Sequence, residues 1–313
     1  MNSYRLSKNI LCVLVLSMVF YSCEDVINPE LEEAQPVLVI DAWINNVPGA
    51  QQIKLMRSQP YFENTLPPGV SGAVVTVTDE KGNVYSFTET EPGVYVWTPM
   101  GNEVFGEVGL TYKLTVKEGS ETYVSESNMG RTPAIDSLTF FLQPGGQFFD
   151  DQYQAEFWST DPAGSGDAYW IKTYKNGDQL LKPSEIVTAY DAGFSKGGNF
   201  NGVPFIAPIR RAINPFDEAE DGTFKSPYVV GDSVYVQIQS VTEGAFNFLN
   251  EVRIQTDRPG GFSELFATPL ANVSTNIKNT NSNDGSKVVG FFNVGAVSGL
   301  GRKFKSLDEL SKN

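Results

Sequence analysis

Residues 73–88 read Ala73-Val74-Val75-Thr76-Val77-Thr78-Asp79-Glu80-Lys81-Gly82-Asn83-Val84-Tyr85-Ser86-Phe87-Thr88, and this stretch decides the fold class. The first six residues are mostly β-branched. Such side chains lose little on a pleated surface and crowd a helix. Asp79 to Asn83 then breaks the run with turn chemistry, and Gly82 supplies a residue that tolerates positive φ. On the way back Val84, Ser86 and Thr88 alternate with Tyr85 and Phe87, the period of a strand with one buried face. A β-hairpin follows.

The same grammar extends in both directions. Val37-Leu38-Val39-Ile40 runs into Ala42, Trp43 and Ile44, and Asn45-Asn46 closes a turn before Ile53 and Leu55. Pro92-Gly93 precedes Val94-Tyr95-Val96-Trp97, Gly109 precedes Leu110 to Val116, and Glu118-Gly119-Ser120 leads into Thr122 to Ser125. About seven short strands in roughly 100 residues predict an immunoglobulin-like β-sandwich over 37–133. Only the architecture is implied, because no Cys-Trp-Cys pattern is present.

Arg131-Thr132-Pro133 marks the expected boundary to a second β-rich domain, 134–313, with one or two short helices. Its strands are expected near Ile135 to Leu142, Tyr153 to Trp158, Tyr169 to Tyr174, Ser233 to Gln239 and Val288 to Val294. Glu243 to Thr256 is the best helix, with Ala245, Phe248, Leu249 and Val252 at helical spacing.

The N-terminus carries the most specific signal. Arg5 and Lys8 precede an apolar stretch, Ile10 to Phe20, which ends in Tyr21-Ser22-Cys23. A run this short, closed by a small residue and Cys, reads as a lipoprotein signal peptide over 1–22. A membrane span needs about 20 apolar residues. Cys23 would take a diacylglycerol and, at its new amine, a third chain, which anchors stably where one chain does not. Residues 23–36 form an acidic, proline-containing tether, and Glu24-Asp25 behind the lipidated Cys resembles a surface-export signal. The expected location is the outer membrane, facing outward, with membrane lipid as the first partner.

Composition excludes several chemistries. Removing the leader takes Arg5 and Lys8 and no acid, so 21 Lys+Arg face 37 Asp+Glu and the net charge moves from −14 to −16. Such a surface disfavours nucleic acid as a partner. There is no histidine, and the two cysteines are Cys12, in the leader, and Cys23. Ser-His-Asp and Cys-His nucleophiles are therefore absent, as are His- or Cys-ligated metals. No Ser-x-x-Lys motif occurs. No enzyme activity and no cofactor are expected.

Residues 191–227 are rich in Gly, Asn, Pro and Phe with little periodicity, as binding loops often are. Phe200, Phe205 and Phe216 are the candidate ligand platforms there, and Arg210-Arg211 could clamp a carboxylate or phosphate. Asp217, Glu218, Glu220 and Asp221 concentrate four carboxylates before Gly222, as a calcium loop would. EF-hand spacing fails, because Ala219 stands where a ligand should and Tyr228 replaces the bidentate Glu. A solvated acidic loop is the alternative. Asp161 and Asp167, bracketing a Gly-Ser loop, could also join a cation site.

Taken in order, several motifs resemble an uncharacterised family of Bacteroidetes outer-membrane lipoproteins, known only as a domain of unknown function. They are Cys23 with its acidic followers, Val37 to Ile44, Gly109 to Val116, Asp161-Pro162 before Asp167-Ala168-Tyr169-Trp170, Gly231-Asp232, and Pro269 to Ile277 leading to Gly290-Phe291-Phe292. The resemblance implies a cell-envelope role, as a ligand-binding or accessory component of a TonB-dependent nutrient-uptake system. A structural or adhesive surface protein is the alternative. The resemblance brings no catalytic residue with it.

Overall fold

The computed structural model describes residues 35–60, 63, 65–101, 103–146, 150–218, 222–258, 260–281 and 287–311. The leader, Cys23, Glu24 and Asp25 lie outside the described residues, as do Glu220 and Asp221.

The first seven strands are β1 (Leu38–Asn45), β2 (Gln51–Arg57), β3 (Val74–Asp79), β4 (Val84–Glu91), β5 (Val94–Trp97), β6 (Thr111–Glu118) and β7 (Glu121–Asn128). The next six are β8 (Ile135–Gln143), β9 (Gln152–Ser159), β10 (Ala168–Lys175), β11 (Asp178–Gln179), β12 (Val187–Tyr190) and β13 (Ser233–Val241), with helix α1 (Ala207–Arg211) before β13. Helix α2 (Glu243–Thr256), β14 (Lys278–Asn279), β15 (Val288–Gly295), β16 (Val297–Lys303) and β17 (Leu310–Ser311) complete the order. The protein is mostly β, as its alternation predicts.

β3 and β4 pair antiparallel, Thr78 opposite Val84. Their turn is locked by Asp79, whose carboxylate accepts from the backbone and side-chain nitrogens of Asn83, both at 2.8 Å. β4 is a corner strand. Its first half pairs with β3 and its second half with β5, with a register shift between Glu89 and Glu91. A bulge of this kind bends a strand from one sheet into the next. The result is a nine-stranded sheet in the order β14-β7-β6-β3-β4-β5-β2-β1-β15. It curls until β15 packs against β7, where the Val294 amide donates to Ser127 Oγ at 2.9 Å. Ile40, Leu55, Val77, Leu114 and Phe292 fill its interior.

The closing strand comes from far along the chain. β1 and β15 run parallel over eight residues, from Leu38 opposite Val288 to Asn45 opposite Gly295. Strands β14 and β15, which the sequence reading groups with the second part, thus complete the sheet of the first. Gly290 is required by this closure. Its φ is +98°, and a Cβ there would sit 2.1 Å from the Ile40 carbonyl oxygen.

Downstream, β10 lies between β13 and the short edge strands β11 and β12, and β16 extends the other side of β13. A three-stranded sheet, β17-β8-β9, packs nearby, and Phe140, Phe157, Tyr169, Phe205 and Ile238 fill the core between. Helix α2 covers a third cluster, in which Phe246 and Leu249 meet Ala168 and Phe291. Its N-cap is Thr242, whose hydroxyl accepts from the Ala245 amide at 3.2 Å. Polar mortises tie the two sheet systems together. Ser240 Oγ donates to the Gly130 carbonyl and accepts from the Ala296 amide, both at 2.8 Å. Among the described residues no helix is long and apolar enough to cross a membrane.

Candidate functional site: a polar cleft between two sheets

Alternation along β1 sends Leu38, Ile40, Ala42 and Ile44 into the curled sheet and leaves Asp41, Trp43 and Asn45 on its outer face. On β2 the residue opposite Asp41 is Lys54, also outward. Across from this face stands one side of β10, carrying Trp170, Lys172 and Tyr174, with Gln239 and Gln237 of β13 in register beside Trp170 and Lys172. The two outward faces enclose a cleft of about 400 Å³. That lies in the size range of small-molecule sites, but this cleft is mainly polar where most are apolar.

Aromatic rings flank one side. Trp43 meets Trp170 edge-on with centroids 5.1 Å apart and stacks on Phe291 at 5.9 Å. The β1–β2 tip forms the rim. Gln51 holds it, accepting from the Asn45 amide at 3.0 Å and donating to the Val47 carbonyl at 3.2 Å. Asn46 Oδ1 pins the tip to the second sheet system by accepting from the Val297 amide at 2.8 Å.

Lys172 and Asp41 carry the chemistry. The Lys172 ammonium lies 4.0 Å over the Trp170 ring and donates to Gln239 Oε1 at 2.7 Å. Gln239 is fully buried, and its Nε2 donates to the Ile44 carbonyl at 3.4 Å, so one amide links both sheets to the lysine. Burial disfavours the ammonium and lowers the Lys172 pKa to about 8, although the charge of Asp41 opposes the shift. Burial likewise raises the Asp41 carboxyl above its ordinary value, against the pull of Lys54 and Lys172. A strongly shifted lysine beside a charge partner in a cleft is a mark of a functional site.

The other acidic cluster is organised differently. Asp161, Asp167 and Asp191 bring carboxylate oxygens within 4.8 Å of one another. Asp161 accepts from the Tyr169 hydroxyl at 2.6 Å and the Gly202 amide at 3.0 Å. Asp191, at φ +49°, accepts from the amides of Gly166 and Asp167. Arg131 supplies the cation. It forks onto Asp167 at 3.0 and 2.7 Å and donates to the carbonyls of Pro162 and Gly164. Arg131 pairs with Asp167 while a hydroxyl and backbone amides engage Asp161 and Asp191, so this cluster reads as a staple for the 161–167 loop.

The residues singled out in 191–227 do not converge on the cleft. Phe205 is wholly buried in the second core, and Phe200 packs against that core near Gly193 and Gly198. Arg210 and Arg211 are both engaged by one carboxylate, Glu156, at 2.8 and 3.1 Å. Phe216 is exposed but packs at a tilt against Phe224, with ring centroids 4.5 Å apart. Asp217 pairs with Lys182, and the backbone of Glu218 forms an isolated antiparallel β-bridge with that of Phe224. Among its described residues the segment therefore covers a core, and Arg210, Arg211 and Asp217 spend their charges on internal partners. Sequence reasoning passed over Asp41 and Lys172. The available signal was a lone charge in the middle of a strand, in Val39-Ile40-Asp41-Ala42-Trp43 and Trp170-Ile171-Lys172-Thr173-Tyr174.

No curated protein matches the chain. A family model described as a domain of unknown function, DUF4249, matches residues 24–299, which include the strands β1 to β15, helix α2 and every cleft residue named above. The chain belongs to the DUF4249 family.

Proposed function

We propose that this is a Bacteroidetes-type outer-membrane lipoprotein, anchored through acylated Cys23 and turned outward by its acidic tether, that binds a small polar solute for a TonB-dependent uptake system. The leader and Cys23 support the anchoring, and the acids at Glu24 and Asp25 support the outward direction. The observation that favours binding over a purely structural or adhesive role is the cleft holding Asp41 and Lys172. Both groups are ionisable, both are shifted against their charged forms by burial, and neither is needed to close a core.

The test is an affinity pull-down from solubilised outer membranes, comparing the native chain with Cys23→Ala. The expected result is co-purification of a TonB-dependent transporter with the native chain, and loss of membrane association in the variant. Recovery of the bait alone, with lipidation intact, would contradict the uptake role.

A further inference from the structure

We propose that the cleft between β1–β2 and β10–β13 binds a small hydroxylated anion of the sugar-acid class, its carboxylate taken by Lys172 and Lys54 and its hydroxyls by the amides of Asn45, Gln52 and Gln237. This inference rests on the binding role proposed above and names the ligand class for the same site.

Charge is the first argument. Two ammonium groups and one carboxylate line the cleft of a chain whose net charge is −14. The cleft is thus locally positive on an acidic protein, which draws in an anion and disfavours a cation. Donor supply is the second. An ammonium has three N–H donors. Among the described residues Lys172 gives one, to Gln239, so it has donors left for an incoming carboxylate. Burial already costs Lys172 its charge stabilisation, holding its pKa at about 8, and a bound anion would restore what Asp41 restores only in part.

The remaining lining explains the hydroxyls. An amide offers donors and an acceptor together, the pattern a hydroxyl needs. Asn45 uses its Oδ1 on the Val47 amide at 2.9 Å and leaves Nδ2 available. Gln237 accepts only a long contact from the Tyr174 hydroxyl, 3.5 Å. Asp41 can accept from a sugar hydroxyl and repels a second negative charge, so the site favours a monoanion. The charged or titratable groups facing Lys172 are Asp41 and Lys54 from the first sheet and Tyr174 from its own strand; β13 contributes the neutral Gln237 and Gln239.

The test is calorimetric titration of the full detergent-solubilised protein with glucuronate and galacturonate, their neutral parents glucose and galactose, and acetate. The acid sugars are expected to bind at least about tenfold more tightly than the neutral sugars and acetate. Their affinity should fall as pH rises above about 8, as Lys172 loses its proton, and each binding event there should take up a proton. Lys172→Met should weaken binding by about tenfold or more and abolish that pH dependence. Lys54→Met, at an exposed position, should weaken it without touching the fold. Asp41→Asn should tighten it. Neutral sugars binding as tightly as their acids would overturn the anion assignment and leave a binding cleft in place. Full affinity in Lys172→Met and Lys54→Met would also overturn it. Absence of binding by every probe would overturn the inference, while a transporter recovered in the pull-down would still support the uptake role.

Discussion

Lys172 and Asp41 are residues whose burial works against the fold. The Lys172 pKa of about 8 lies below its ordinary 10.5, so the unfolded chain holds the proton more tightly. Its cost is fully present below about pH 8 and is released as pH rises from about 8 to 10.5. Asp41 has the opposite sign: its folded pKa lies above 3.8, so its cost sets in as pH rises past 3.8 and is complete once pH exceeds the folded value. At pH 7 both costs are present. The cation–π contact with Trp170 returns about 0.5–2 kcal/mol. Replacing a buried pair by uncharged groups of similar size is often neutral or stabilising by about 1–4 kcal/mol. The double variant Asp41→Asn/Lys172→Met is therefore expected to match or exceed the native melting temperature at pH 7, and to lose the rise in stability between pH 8 and 10.5, by urea unfolding. Gly290 makes the contrasting case. Gly290→Ala sets a Cβ 2.1 Å from the Ile40 carbonyl at φ +98°. Thermal unfolding should show a loss of about 3 kcal/mol or more, because backbone on both sides must move.

Elements were legible where the information is local. The β3–β4 hairpin follows from a β-branched run, a Gly-Asn turn and an alternating return. Helix α2 occupies the expected Glu243 to Thr256, because its apolar spacing and Thr242 cap are both written nearby. The parallel pairing of β1 with β15 was not legible. Nothing in either strand specifies a partner some 250 residues away, as their register shows, and parallel ladders carry no turn signature. The cleft was missed for a related reason. Period-2 alternation says which side chains leave the core, not what covers them once they do. Asp41 and Lys172 therefore read as solvated strand residues until the two sheets face each other. Loop 161–167 belongs to this scale too. Arg131→Ala removes its clamp and leaves Asp167 without its cation, at an expected cost of about 1–2 kcal/mol because the guanidinium is half-exposed. Hydrogen exchange should rise through that loop. Calcium at about 1 mM should leave the native melting temperature unchanged, because Arg131 already neutralises Asp167 and hydrogen bonds already engage Asp161 and Asp191.

At the scale of the whole molecule, the two sheet systems are joined through β15, α2 and the Ser240 and Asn46 mortises. Ile277, Val288, Phe292 and Val294 all enter the core of the first sheet from the C-terminal part of the chain. A fragment of residues 37–133 should accordingly show no cooperative thermal transition by circular dichroism; a sharp transition near the native one would contradict this architecture. The same joining makes the cleft, since neither sheet alone can desolvate Lys172 or set it opposite Asp41. The most direct measurement is therefore an NMR pH titration of the lysine side chains in the intact protein, with Lys172 assigned by its loss in Lys172→Met. A midpoint near about 8 is predicted, rising on addition of glucuronate. A midpoint at the ordinary 10.5, unmoved by ligand, would contradict a desolvated binding lysine between the sheets.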